Sequence, residues 1–227
     1  EKNLNKIGAV YDKLNYKELL DKTAKLISEG NVIGWFQGRM EFGPRSLGGR
    51  SILADPRSFE MQKNLNLKIK FRESFRPFAP AVLEEDLSDW FDLKEPSPYM
   101  LLVSQIKDHL KINITNEINT FGIDKLKLKR SKIPAVTHVD HSARIQTVSK
   151  KTNTRFYDLI SKFKDITGCP ILINTSFNVR GEPIVCTPED AFRCFMGTNM
   201  DALIIGNFVL KKSPIAITSK IKRKLSS

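Results

Sequence analysis

Residues 32–57 read VIGWFQGRMEFGPRSLGGRSILADPR, an apolar run, a glycine-rich turn and a second apolar run. The pattern predicts short buried strands at Val32–Phe36 and Ser51–Ala54. Between Gly38 and Arg57 the chain carries four glycines and four arginines, namely Gly38, Gly43, Gly48, Gly49, Arg39, Arg45, Arg50 and Arg57. Arginine offers paired donors to phosphate or carboxylate oxygens, and glycine lets the backbone approach a ligand closely. The stretch therefore indicates two strands joined either by an oxyanion cradle or by a solvated basic turn.

The composition of the whole chain indicates a soluble globular protein that attracts anions. Hydrophobic residues make up 41% of the 227 residues and charged residues 27%, with a net charge of +12. A positive field favours nucleotide, acyl phosphate or nucleic acid without choosing among them. The three cysteines include no C-x-x-C pair, which argues against a disulfide framework or a zinc ribbon. With no membrane-length apolar run and no secretory leader, we expect a cytoplasmic protein.

Segments with the hydrophobic periodicity of helices alternate along the chain with segments that have the pattern of strands. Helices are predicted at Tyr16–Glu29, Ser58–Asn66, Asn153–Thr167 and from Thr187 onward. Further strands are predicted at Ala79–Leu83, Tyr99–Gln105, Arg144–Ser149, Pro170–Asn174, Asp201–Ile205 and Phe208–Leu210, the first three in a mostly buried sheet. This interspersed order predicts one α/β domain with a mixed sheet. We expect residues 1–15 to be a linker or leader from a preceding region, 16–212 the domain, 107–132 an insertion loop and 213–227 a basic tail.

Two segments combine side chains suited to ligand binding. In an extended Lys68–Arg72, three cations share one face, and Arg76 follows four residues later; a solvated edge strand would look the same. In Ile171–Asn178, short polar side chains fall on one side at the end of an apolar strand, namely Asn174, Ser176 and Asn178. Such groups suit ligand recognition at the carboxyl end of a sheet, although turn-forming residues after a strand have the same composition.

A third segment, His138–Arg144, contains two histidines and an aspartate. We expect no metal there, because nothing else in the sequence supplies the remaining ligands. Arg144 is instead interpreted as a further anion ligand, with His138 or Asp140 holding the site together. The chain has no G-x-S-x-G turn, no G-x-x-x-x-G-K-[ST] loop and no G-x-G-x-x-G fingerprint, so a nucleotide would be bound in another way.

Four blocks resemble one known family in the same order along the chain. They are GRMEFGPRSLGGRSILADPR, KIKFRESFRPFAPAVLEED, THVDHSARIQTV and PILINTSFNVRGEPIVCTPEDAF. They resemble the C-terminal, YrdC-like domain of O-carbamoyltransferases of nodulation-factor and antibiotic biosynthesis, from about Glu18 to Leu210. The K-x-R and S-x-N motifs that mark YrdC-like domains stand here as Lys70–Arg72 and Ser176–Asn178.

The resemblance implies a twisted mixed sheet flanked by helices around a basic concave site. It implies formation of carbamoyl-adenylate from carbamoyl phosphate and ATP, with Mg²⁺ as the counterion of ATP. An actin-like N-terminal domain, in the same or a partner chain, would then transfer the carbamoyl group to a substrate hydroxyl. Catalytic roles fall to Arg45, Lys70 and Arg144. Nucleotide and acyl phosphates would be held by Arg72, Arg76, Asn174, Ser176 and Asn178.

Three departures from the family and two alternatives remain. Ser46 and Gly49 stand where the family usually has alanine and asparagine, and both are small changes. The family usually has glycine where this chain has His141, which adds bulk beside Arg144. A double-stranded RNA-binding module would use the basic cluster at residues 125–132, but no stacking aromatics alternate with its basic residues. The other alternative is the related threonylcarbamoyl-adenylate chemistry of tRNA modification. We expect small-molecule substrates and neither nucleic acid nor membrane as partners.

Overall fold

An eight-stranded mixed sheet forms the centre of the computed structural model, which describes residues 1–112 and 128–212. The strands of the chain are β1 (Tyr11–Lys13), β2 (Ile33–Phe36), β3 (Arg50–Ala54), β4 (Ala79–Leu83), β5 (Val103–Gln105), β6 (Ser142–Arg144), β7 (Gln146–Val148), β8 (Ile171–Ser176), β9 (Ala202–Ile205) and β10 (Phe208–Lys211). The large sheet has the order β1-β10-β9-β2-β3-β8-β4-β7, and β5 pairs with β6 in a separate two-stranded sheet. Within the large sheet, only the pairs β2–β9 and β4–β7 are parallel, and the other neighbouring strands are antiparallel. The predicted α/β fold with a mixed sheet is confirmed.

Six α-helices flank the sheet within the described residues: α1 (Lys2–Lys6), α2 (Tyr16–Ser28), α3 (Phe59–Leu65), α4 (Leu87–Trp90), α5 (Thr154–Thr167) and α6 (Pro188–Gly197). Their boundaries follow from local chemistry. The Thr187 side chain accepts from the Asp190 N–H, and the Asp190 carboxylate accepts from the Thr187 N–H. Gly168 ends α5 with a φ of 71°, a left-handed conformation that suits glycine. No helix in the described part of the chain is long and apolar enough to cross a membrane.

The opening stretch forms two neighbouring strands, as predicted. Every residue of β2 and β3 is buried, and β3 lies between β2 and β8. The loop between β2 and β3 is fixed at its ends, where the Gln37 N–H donates to the Gly49 carbonyl at 2.8 Å. A side chain at Gly48 would collide with the ring of Phe156, so only glycine fits there. The loop therefore emerges from the central strands at a defined position.

The structure differs from the linker expected over residues 1–15. Leu4 of α1 is buried, and β1 forms the edge strand of the large sheet beside β10. Ile7, Ala9, Tyr11 and Leu14 pack against the core, which a solvated linker would not do. The predicted domain boundary at residue 16 stays a prediction.

The extended conformation predicted for Lys68–Arg72 is wrong. Residues Asn66–Lys70 form a π-helical turn that continues α3, and Phe71 ends it with a φ of 49°. Adjacent Ile69 and Lys70 are both buried, which an alternating strand with one solvated face cannot achieve. The turn is held by buried Asn66, whose Nδ2 donates to the carbonyls of Ser74 at 3.1 Å and Arg76 at 2.8 Å.

The strands predicted at Tyr99–Gln105 and Arg144–Ser149 are only partly confirmed. Only Val103–Gln105 is a strand in the first range, and Tyr99, Leu101 and Val103 are exposed rather than buried. The second range is divided at Ile145: β6 ends at Arg144 in the small sheet, and β7 begins at Gln146 in the large one. Arg144 is thereby positioned where the two sheets adjoin.

The predicted insertion at residues 107–132 falls partly outside the described residues, and the tail at 213–227 falls wholly outside them. The described flanks of the insertion pair with each other. The Ile112 N–H donates to the Arg130 carbonyl at 2.8 Å, and the Lys132 N–H donates to the Leu110 carbonyl at 2.9 Å. The two ends of the segment thus lie side by side on the domain.

Candidate functional site

Six of the eight predicted site residues line one cavity of about 340 Å³, which we call the arginine cavity. Its lining comprises Pro44, Arg45, Ser46, Arg72, Arg76, Pro77, Phe78, Ala79, Met100, Arg144, Asn174, Thr175 and Ser176. Four of these residues are arginines and none is acidic. Arg45 comes from the loop after β2, Arg72 and Arg76 from the segment after the π-helical turn, and Arg144 from the end of β6. Separate elements therefore bring four cations to one concave surface.

Most of these guanidinium groups have no hydrogen-bonded partner in the described part of the protein, and Glu73 is a nearby carboxylate that acts on Arg72 and Arg76 through its charge. Within the described residues, the side chains of Arg45, Arg76 and Arg144 make no hydrogen bond or ion pair. Burial lowers the pKa of Arg144, and the positive charge of Arg45 lowers it further. Burial also lowers the pKa of Arg72, with Arg76 adding to the effect. Like charges held together at a partly desolvated surface favour the binding of an anion.

Arg72 is held in one orientation by the fold. Its Nε donates to Asn66 Oδ1 at 2.6 Å, and its guanidinium carbon lies 4.9 Å from the centre of the Phe78 ring. The hydrogen bond and the cation–π contact both restrict the position of the Arg72 guanidinium group. Arg72 is therefore preorganised, whereas Arg45 and Arg76 are exposed.

Two predicted residues, Lys70 and Asn178, do not line the cavity, but both form hydrogen bonds with Ser176, which does. Lys70 Nζ donates to the Ser176 carbonyl, to Asn178 Oδ1 at 2.9 Å and to the Asn178 carbonyl at 3.0 Å. Ser176 Oγ in turn donates to Asn178 Oδ1 at 2.7 Å. Burial, together with the charge of Arg72, lowers the pKa of Lys70 to about 7. The structure thus joins the two segments Lys68–Arg72 and Ile171–Asn178 through this lysine.

Asn174 is oriented by a residue that sequence reasoning missed. Its Nδ2 donates to Gln146 Oε1 at 2.6 Å and to the Ser46 carbonyl at 2.9 Å. Gln146 Nε2 donates to the Leu47 carbonyl at 2.9 Å, so Gln146 bridges β8 and the loop that carries Arg45. Gln146 is buried on a short strand, and nothing in the local sequence distinguishes it from a core residue.

Glu41 is the second missed residue, and it fixes the shape of the same loop. Its Oε1 accepts from the N–H groups of Leu47 and Gly49, each at 2.7 Å. A carboxylate that accepts several backbone N–H groups holds a turn firmly. A side chain at Gly49 would come within 2.9 Å of the Arg39 carbonyl oxygen, so a larger residue there would require the loop to shift where it closes.

The other arginines of the opening stretch play different parts. Arg57 pairs with Asp55, with 2.6 Å between Nη2 and Oδ2. Buried Arg50 donates from Nη1 to the carbonyls of Gln37 at 3.1 Å and Gly38 at 3.2 Å, and its guanidinium lies 3.5 Å from the centre of the Phe36 ring. Arg50 therefore stabilises the loop, whereas Arg57 is held by Asp55 just after β3, and neither is free to bind a ligand.

A second, larger cavity of about 890 Å³ lies on the other side of this loop. Its lining includes Lys13, Gln37, Arg39, Glu41, Leu47, Tyr99, Gln146, Arg155, Asn207 and Phe208. Arg155 is satisfied by the protein, since it donates to Gln37 Oε1 at 2.8 Å, the Gly206 carbonyl at 3.0 Å and Asn207 Oδ1 at 2.9 Å. We call this second space the large cavity.

The segment His138–Arg144 contributes Arg144 but no cluster of metal ligands. Asp140 accepts from the Ser142 hydroxyl at 2.7 Å, and this bond is the main reason that the pKa of Asp140 is lowered. No group of three or more candidate ligands occurs within residues 1–112 and 128–212. His141 has a φ of 62°, which explains why glycine suits this position in the family that the sequence resembles.

Solved structures of low sequence identity share this fold. P. abyssi Sua5 complexed with L-threonine aligns with a TM-score of 0.54 at 12% identity, over 86% of this chain and 48% of Sua5. Full-length HypF in its phosphate- and nucleotide-bound form aligns with a TM-score of 0.51 at 15% identity, over 86% of this chain and 22% of HypF. The YrdC-like fold implied by the sequence resemblance is thereby confirmed.

Sequence comparison gives the family. An uncharacterised protein of Synechocystis sp. is 59% identical over 91% of this chain and 34% of its own length. Nodulation protein NolO of Bradyrhizobium diazoefficiens is 41% identical over 96% of this chain and 37% of its own length. The chain thus spans about a third of the length of these relatives. The family described as carbamoyltransferase C-terminus matches residues 24–212, and the chain belongs to that family.

Proposed function

We propose that the arginine cavity binds carbamoyl phosphate and ATP and that the chain forms carbamoyl-adenylate from them. The observation that carries this proposal is the convergence of four arginines on a cavity with no acidic lining residue. Both substrates present phosphate oxygens, which arginine binds through paired donors. Family membership and the likeness to a phosphate- and nucleotide-bound HypF support the same substrates.

The proposed reaction releases phosphate and pyrophosphate and consumes one water molecule. Water takes the phosphoryl group of carbamoyl phosphate, giving phosphate and carbamate. A carbamate oxygen then bonds to the α-phosphorus of ATP, the bond from that phosphorus to the bridging oxygen breaks, and pyrophosphate leaves. Such steps need positioning and charge compensation more than a covalent nucleophile, which suits a cavity of fixed cations.

Six of the eight predicted residues have a role in this scheme that fits their environment. Arg45 and Arg144, whose donors have no protein acceptor in the described structure, would hold the acyl phosphate. Arg72 and Arg76 would hold nucleotide phosphates, together with Ser176 of the wall. Lys70 would add its charge from the far side of Ser176, and Mg²⁺ would arrive as the counterion of ATP. In the full-length protein the region preceding this one would transfer the carbamoyl group to a hydroxyl.

Isotope exchange tests the proposal. Labelled pyrophosphate should enter ATP when the chain, ATP and carbamoyl phosphate are all present, and not when carbamoyl phosphate is omitted. Threonine with bicarbonate in place of carbamoyl phosphate tests the threonylcarbamoyl alternative in the same assay. Exchange supported by threonine and bicarbonate but not by carbamoyl phosphate would replace the proposed reaction with that alternative.

A further inference from the structure

The first step of the proposed reaction releases a proton that none of the residues assigned so far takes up. When water attacks the phosphorus of carbamoyl phosphate, one hydrogen of the water must leave as the new bond forms. A neutral side chain with a free lone pair beside the arginine cavity would accept this proton. The arginines of the lining cannot do so, because arginine stays protonated in proteins.

Two carboxylates and one lysine near the lining are poorly suited to this task. A backbone hydrogen bond, together with the charges of neighbouring arginines, lowers the pKa of Glu73. Hydrogen bonds from Ser142 lower the pKa of Asp140. Lys70 is held as a donor by the Ser176 carbonyl and further acceptors. A carboxylate with a lowered pKa is a weak base, so a different group is required.

His138 has the properties that these groups lack. Its half-buried ring makes no hydrogen bond within residues 1–112 and 128–212. Burial lowers the pKa of His138, the charge of Asp140 in the same turn raises it, and the charge of Arg144 on β6 lowers it. The net shift is downward, so the imidazole is neutral at pH 7 and one of its ring nitrogens carries a free lone pair.

A tight hairpin places His138 beside β6. Its N–H donates to the Ser142 carbonyl at 2.8 Å, and its carbonyl accepts from the His141 N–H at 3.1 Å. With His141 at a φ of 62°, these bonds form a three-residue hairpin loop in which His138 lies opposite Ser142. Opposite residues, and residues two apart on a strand, project to the same side, so His138 shares a face with Arg144. Such diagonal neighbours are about 7–8 Å apart, within the reach of long side chains.

We propose that His138 is the general base of the first step and accepts the proton of the water that attacks carbamoyl phosphate. The inference rests on the proposed function, in which Arg144 holds the acyl phosphate next to this ring. The water oxygen bonds to phosphorus, the bond from phosphorus to the carbamoyl oxygen breaks, and carbamate leaves with that electron pair. His138 then passes the proton to the released phosphate.

Supplying carbamate directly bypasses this step and gives the test its specificity. His138→Gln should lower carbamoyl-phosphate-dependent pyrophosphate exchange by about 10²-fold or more, the usual effect of losing a general base. Exchange supported by ammonium carbamate and ATP should be unchanged in this variant, which also shows that it is folded. His141→Gln is the matched control, because it changes the other histidine of the same turn, and both exchange rates should stay at the wild-type level.

The pH profile and added imidazole provide two further readouts. The ratio of the wild-type rate to the His138→Gln rate should fall as the pH decreases below the ordinary pKa of histidine, because a protonated imidazole accepts no proton. Taking the ratio cancels the titration of Lys70 and of the substrate. Free imidazole should restore exchange in His138→Ala in proportion to its neutral form. A ratio independent of pH, together with no rescue by imidazole, would overturn the inference.

The inference and the proposed function fail separately. Equal losses of exchange with carbamoyl phosphate and with carbamate in His138→Gln would show that the residue acts outside the first step. Wild-type exchange in this variant would show that the residue is not required, and either result overturns the assignment of the base. A wild-type chain that exchanges with neither substrate would refute the proposed function, and the inference with it.

Discussion

Arg45 and Arg144 differ from Arg50 and Arg155 in what surrounds their guanidinium groups. Arg50 and Arg155 donate to backbone carbonyls and amide oxygens of the protein, and of the Arg50 donors the buried Nε has no partner among the described residues. Arg45 and Arg144 face the arginine cavity with no acceptor among the described residues, and the charge of Arg45 lowers the pKa of Arg144. Arginine content alone therefore does not mark a binding site. A site is indicated where the fold leaves the donors of several arginines without partners.

Removing one cavity arginine should have the largest effect. We expect Arg45→Ala or Arg144→Ala to reduce carbamoyl-phosphate-dependent pyrophosphate exchange by roughly 10²–10³-fold, the usual effect of removing one group that stabilises charge in the transition state. Arg39→Ala is the matched control, since Arg39 lies on the same loop but lines the large cavity. Loss of exchange in the control, with wild-type rates in both cavity variants, would reverse the assignment of the two cavities.

Removing Arg50 should instead affect stability. Arg50→Met leaves the carbonyls of Gln37 and Gly38 without their donor, so we expect the free energy of unfolding to fall by about 1–3 kcal/mol. Arg45→Ala removes no protein hydrogen bond and should leave that free energy unchanged. Urea denaturation of the two variants measures the contrast. Equal losses of stability would mean that Arg45 is also structural.

Glu41 gives a smaller effect, because it acts on the loop and not on a substrate. Glu41→Ala removes the acceptor of the Leu47 and Gly49 N–H groups, and we expect exchange to fall about tenfold as Arg45 loses its fixed position. Glu41→Gln keeps an oxygen acceptor and should restore most of the rate. Failure of glutamine to restore exchange would indicate that the charge of Glu41, and not its hydrogen bonds, is required.

Lys70 should give a pH dependence of a few-fold. Its pKa is about 7, so the lysine is mostly charged at pH 6 and mostly neutral at pH 8. Anion affinity should therefore fall with rising pH, by about 5-fold for sulfate, which does not titrate in this range. Calorimetric titration of sulfate at both pH values measures it. The slope should disappear in Lys70→Gln and persist in Lys68→Gln, because Lys68 is exposed; a slope that survives in Lys70→Gln would exclude this lysine.

Local sequence chemistry predicted much of the fold. The cap at Thr187, the glycine after α5 and the buried strands β2, β3 and β8 all follow from neighbouring residues, and the structure confirms them. The convergence of Lys70 with Ser176 and Asn178 followed from the two marker motifs of the family. Local pattern and family resemblance therefore selected residues that the structure brings together, and their role as a site stays a prediction.

What sequence could not predict depends on contacts between distant residues. Lys70 is buried in the π-helical turn, where its ammonium group donates to the carbonyls of Ser176 and Asn178, on and after β8. These acceptors are more than 100 residues away in the sequence, so the local pattern of polar and apolar residues cannot reveal them. Gln146 was missed for the same reason, since its role is set by Asn174 and Leu47. The functions assigned to these residues stay predictions until substrates are bound.

A crystal structure of the chain with carbamoyl phosphate and a non-hydrolysable ATP analogue tests the central claim most directly. We predict that the acyl phosphate lies in the arginine cavity, within hydrogen-bonding distance of the Arg45 and Arg144 guanidinium groups. The nucleotide phosphates should lie against Arg72 and Arg76. Substrate bound instead in the large cavity, beside Arg39 and Arg155, would contradict the account.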